Sequence, residues 1–181
     1  MTYNELVQEN KKAIRDYVGD IKGMLSNFAR SDRSTLRTYG LMEEPALQTS
    51  RVLSSLPTEK VLSAADQIME VVNSLDEKLQ RGPTEQTETS AMLALNSVAV
   101  LEADFEVLDT TATNALASVP VALPVWQKIK NAVKNAIKAI SQHLWQIIST
   151  ALTLKEWTVK GSLGSSIFGL ASVEIGLKFG K

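Results

Sequence analysis

Four stretches of this chain repeat apolar residues at alternating steps of three and four, a spacing that an amphipathic α-helix satisfies and a strand does not. In the first, Asn4 to about Ala29, the stripe is Tyr3, Val7, Asn10, Ile14, Tyr17, Ile21, Met24 and Phe28, with Asn10 its only strongly polar member. A short helix is expected from Pro45, which suits a first helical turn, and it ends before Pro57. The next long stretch, Thr58 to Arg81, carries Val61, Ala65, Ile68, Val72, Leu75 and Leu79. Thr58 is placed to cap its start, and Gly82-Pro83 to stop it. Residues 84–89 (TEQTET) read as a polar linker.

From Ser90 to about Ser118 the stripe is Ala94, Val98, Leu101, Phe105, Leu108, Ala112, Ala115 and Val119. From Val125 to about Thr153 it is Ile129, Val133, Ile137, Ile140, Leu144, Ile147 and Ala151. At about 1.5 Å per residue these helices measure roughly 35–43 Å. Short links between them make sequential neighbours antiparallel. The predicted fold is mainly α: an antiparallel bundle of four long helices plus one short helix over residues 1–153, followed by a C-terminal β-hairpin over residues 154–181.

The hairpin expectation rests on a change of period. Past Leu154, Trp157, Val159, Gly161 and Leu163 alternate with polar residues. Beyond Gly164-Ser165-Ser166, Ile167, Gly169, Ala171, Val173, Ile175, Leu177 and Phe179 fall on one face. A three-residue loop at 164–166 pairs Trp157 with Val173 but sets Glu156 opposite Glu174. A longer loop, Gly164–Leu170, pairs Lys160 with Glu174 and Glu156 with Lys178, and leaves Ile167, Phe168 and Leu170 on an apolar tip. A lone hairpin is marginal in water, and both its edges are unpaired. It must pack on the bundle or on something else. Trp157, Val159, Leu163, Ile167, Phe168, Leu170, Val173, Ile175, Leu177 and Phe179 are the candidate partner-binding residues, and strand addition to another chain's sheet is one way they could act.

Charge is segregated along the chain. Residues 1–119 hold 11 Lys+Arg and 18 Asp+Glu, whereas residues 120–181 hold 8 Lys and 2 Glu. Lys128, Lys130, Lys134 and Lys138 form a basic stripe that either pairs with acids inside the molecule or faces anionic lipid. With a turn near residues 121–122, Asp109 is expected level with Lys134, and Asp104 close to Lys138. Nucleic acid is not expected, because no aromatic residues interleave with the bases in the way single-strand binders use.

Little in the sequence supports catalysis. There is no Cys, which excludes disulfides, thiol nucleophiles and thiolate metal sites. His143 is the only His, and it sits on an apolar helix, so neither a metal site nor a cofactor is expected. Gly161–Gly169 is glycine-rich but lacks the Gly-Lys-Ser/Thr of a phosphate-cradling loop. The carboxylate pairs Glu43/Glu44 and Asp76/Glu77 read as solvated surface. Gly19 and Gly23, four apart, read as a tight helix crossing, as tolerated substitutions, or as a weakened helix that rearranges. The N-terminus lacks a secretory h-region, and the uncharged runs Thr110–Gln127 and Ala139–Leu154 fall short of the about 20 apolar residues of a spanning helix, so a cytoplasmic protein is expected.

The residues Trp157 to Gly164 and Val173 to Gly180 resemble the β-hairpin of small adaptor domains found beside proteases in prokaryotic defence systems. The layout of helices plus an apolar hairpin is also similar to helical pore-forming toxins, at the level of fold. The expected function is a non-enzymatic adaptor, of a bacterial defence or signalling system, that docks another protein chain or a second copy through the hairpin. The alternative is a helical protein that inserts conditionally into a membrane.

Overall fold

The structure, a computed structural model, describes residues 3–30, 43–81, 85–119 and 122–151. The expected hairpin, residues 154–181, lies outside the described residues. Among the described residues there are five helices: α1 (Tyr3–Ala29), α2 (Glu43–Ser54), α3 (Thr58–Gln80), α4 (Glu85–Leu116) and α5 (Leu123–Ala151).

The four long helices close into a ring in which α1 touches α3 and α5, and α4 touches the same two. Each adjacent pair runs antiparallel. Asn10 on α1 meets His143 on α5, while Phe28 at the other end of α1 meets Trp126. Lys11 reaches Asp76, and Lys22 reaches Asp66 on α3. Lys78 meets Ser90 across the α3–α4 turn, and Trp126 meets Asp109 across the α4–α5 turn. This is an up-down-up-down bundle. The short α2 touches both α1 and α4, which are diagonal in the ring, and so lies at the end where α1 finishes and α3 begins. Leu53 and Leu56 are buried there.

The expected stripe of α3 is buried throughout, and so are those of α4 to Val119 and of α5 to Ile147 except that Ala115 and Ile129 are half-buried. On α1 the buried face is wider than its stripe. Val18 and Leu25 join Val7, Ile14, Ile21 and Phe28 inside, while Tyr17 and Met24 are half-buried. A helix gripped by two neighbours must hide more than one row of side chains, and α1 is gripped by α3 and α5.

Two boundaries differ from expectation. The cap position of α3 is Pro57, with no side-chain cap bond, and Thr58 is already a buried helical residue. Residues 85–89 of the expected linker are helical, because α4 starts at Glu85. Its inward row continues below Ala91 in small polar residues, the buried Thr87 and Ser90, which an apolar count does not register. At the next turn, Pro124 sits in the first turn of α5, where its missing N–H is not needed.

Candidate functional site

The charged residues of α4 are all acidic and those of α5 are all lysine, and the two helices lie side by side. Asp109 is nearly buried and gathers three groups. Trp126 Nε1 donates to its Oδ1 at 3.0 Å, Lys130 Nζ approaches Oδ2 at 2.6 Å, and Thr113 Oγ1 donates to Oδ1 at 3.4 Å. Lys130, not Lys134, is therefore the partner of Asp109. Lys134 instead acts on the charge of Glu102. The register is about one helical turn away from the expected one, because α4 ends at Leu116 and α5 starts at Leu123, which moves the turn toward the N-terminus. Burial, followed by the charge of Glu106 one turn on, pushes the Glu102 carboxyl up to about 7, with Lys134 pulling the other way. Of the basic stripe, then, Lys130 is half-buried in an ion pair, whereas Lys128, Lys134 and Lys138 are exposed.

Trp126 is fully buried. Its ring stacks on Phe28 at 5.3 Å between centroids and tilts against Phe105 at 6.2 Å, which joins α1, α4 and α5 at one end of the bundle.

On the opposite flank Asp76, expected as solvated surface, is buried. Lys11 Nζ lies 2.6 Å from its Oδ2, Gln8 Nε2 donates to the same oxygen at 3.3 Å, and Gln80 Nε2 donates to Oδ1 at 3.2 Å. Burial alone would raise this carboxyl. The hydrogen bonds from Lys11 and Gln8, the Lys11 charge and the Gln80 bond outweigh it and hold it below its ordinary value. Its neighbour Glu77 is exposed, as expected.

His143 packs in a small polar cluster. Its Nδ1 lies 2.7 Å from Asn10 Oδ1, its ring stacks on Tyr17 at 5.9 Å, and Asn10 Nδ2 donates to the Leu6 carbonyl at 2.8 Å. Asn10, the polar member of the α1 stripe, thus has a partner for each end of its amide. Such a pair at an interface fixes which helices meet and in what register. Among the described residues no three acidic or imidazole side chains gather as metal ligands.

Tyr17 also borders a groove of about 510 Å³ between α1 and α5, lined by Gly19, Gly23, Ala132, Ala136 and Ala139 and by Asp20 and Asn135. A Cβ on either glycine would meet nothing within 4 Å. The glycines are not at a tight crossing. They open a gap.

One surface was not anticipated from the sequence. The large exposed apolar side chains among the described residues all lie on α4: Met92 (41%), Leu93 (54%), Val100 (40%) and Val107 (59%). Leu93, Val100 and Val107 recur every seven residues, with the exposed Asn96 and Ala103 between them, and so line the outer side of the helix. The signal was present in the seven-residue spacing, but the stronger inward stripe of the same helix masked it.

The candidate partner-binding residues Trp157, Val159, Leu163, Ile167, Phe168, Leu170, Val173, Ile175, Leu177 and Phe179 lie outside the described residues. No described helix is long and apolar enough to cross a membrane. Compared with known protein families, curated proteins and solved structures, the chain matches none.

Proposed function

We propose that this protein is a non-enzymatic binding module, a helical bundle whose apolar C-terminal segment, residues 154–181, docks on a partner protein. The observation that carries this reading is the closed ring. The inward stripes of α1, α3, α4 and α5 are covered by one another, so the core has its cover in the helices themselves. The apolar residues of the last segment then need a surface of their own. The resemblance of that segment to adaptor hairpins directs the reading toward bacterial defence or signalling. Deleting residues 155–181 should abolish capture of a partner from native lysate while the helical circular dichroism of the bundle persists. Unchanged capture by the shortened chain would refute the proposal.

A second reading, contact with an anionic membrane, draws on the exposed Lys128, Lys134 and Lys138 of a helix that has no acidic residue. Deep insertion of α5 would have to break the packing of Trp126 against Phe28 and Phe105. Flotation with anionic vesicles at low salt decides it, and absence of the protein from the floated fraction eliminates this reading.

A further inference from the structure

The outer side of α4 presents Leu93, Val100 and Val107 to solvent over 14 residues, or about 21 Å of helix. A row of large apolar side chains at seven-residue spacing is the pattern of a surface made to be covered. The residues around it narrow the choice of cover. On the helical wheel Asp104 lies beside the row, about 40° from Val100, and α4 carries no basic residue. A second copy laid symmetrically on this side would set acid against acid. The occupant should be apolar and basic.

The chain contains one such piece. Residues 152–181 combine the apolar set ending in Val173, Ile175, Leu177 and Phe179 with four lysines against two glutamates. This piece also starts in the right place. The contacts of Trp126 and Lys130 with Asp109 put Ala151, the last residue of α5, level with the start of the adjacent α4. From there Leu93 is eight residues up the helix, about 12 Å, and its outer side is about 10 Å across. The six residues 152–157 reach about 20 Å. An extended run such as Val173–Phe179, at about 3.3 Å per residue, matches the length of the row.

We infer that in the isolated protein the C-terminal segment, residues 154–181, lies along the outer side of α4, its apolar side chains on Leu93, Val100 and Val107 and its lysines toward Asp104. This goes beyond the proposed function. It states where the segment rests when no partner is present, and it stands or falls independently of partner capture.

The chain has no cysteine, so a nitroxide can be placed at one site. Asn96→Cys puts it on the exposed side of α4 beside the row. In the full-length protein the amide resonances of residues 154–181 should lose several-fold in intensity relative to the reduced label. The loss should persist on dilution and weaken as salt is raised. Changing Leu93, Val100 and Val107 together to Asn should restore the signals with the helical circular dichroism unchanged. If that variant fails to fold, Ile175→Asn with Leu177→Asn reads the same contact from the other side. Unbroadened segment signals overturn the inference, and so does broadening that survives the substitutions. Broadening that fades on dilution, with a dimer in sedimentation velocity, assigns the row to a second copy and overturns it equally.

Discussion

Ser141 lies on α5 with its hydroxyl oxygen sealed from solvent and without a hydrogen-bond partner. A hydroxyl taken out of water with nothing to bond to costs free energy that a methyl group of similar size does not. Ser141→Ala is therefore expected to stabilise the bundle by about 1 kcal/mol, read as a rise in the urea midpoint without a change in slope; a lower midpoint would mean that the hydroxyl is paired in solution. Asp109 shows the contrasting case. It is almost as deeply placed, yet Trp126, Lys130 and Thr113 all reach it. The same contrast separates Asp76 from Glu77, adjacent in sequence: one is enclosed by Lys11, Gln8 and Gln80, and the other is in water. A pair of neighbouring acids cannot disclose which of them turns inward when the deciding partners, here Gln8 and Lys11, lie more than sixty residues away.

At the scale of elements, the helices most legible in the sequence were those whose inward rows are made of carbon. α3 follows its expected stripe residue for residue. The first turn of α4 was illegible because Thr87 and Ser90 fill the positions where an apolar residue would have signalled helix. The α4–α5 register was missed by about one turn, since the pattern of charges tolerates several alignments and the position of the turn selects among them. Of the readings open for the glycines of α1, the structure removes the tight crossing: spacing reports that two small residues share a side, not what stands opposite. Because a methyl at either position would project into open space, Gly19→Ala and Gly23→Ala should each stabilise α1 by about 0.5–1 kcal/mol through helix propensity. Thermal melts of the two single variants check this, and a fall in the midpoint would show that the groove has to stay empty. The outer row of α4 was legible as a seven-residue repeat, and it shares its helix with a stronger row on the opposite side.

For the molecule as a whole, two carboxyls set opposite pH slopes. Asp76 is held below its ordinary value, so the stability it contributes is present above the unfolded pKa and is lost as pH falls through the folded one. Glu102 is raised to about 7, so the folded state keeps a proton that the unfolded state has released, and stability falls as pH rises from the ordinary carboxylate range through about 7. The bundle should thus be most stable in mildly acidic solution, between the two. Glu102→Gln should remove most of the decline on the alkaline side. After discounting for the solvent around this half-exposed group, that is about 1 kcal/mol between about pH 5 and about pH 8. Urea titrations at the two pH values test the sign, and an undiminished decline in the variant would place its origin elsewhere.

The packing of Trp126 against Phe28 and Phe105 has a further consequence. An indole shut away from water emits at shorter wavelength than a wetted one, and Trp145 sits half-covered toward the far end of the same helix. With Trp157 replaced by Phe, the emission spectrum becomes an optical readout of the two poles of the bundle: a red shift that precedes the loss of helical signal would report the α2 end loosening first, with no dye attached.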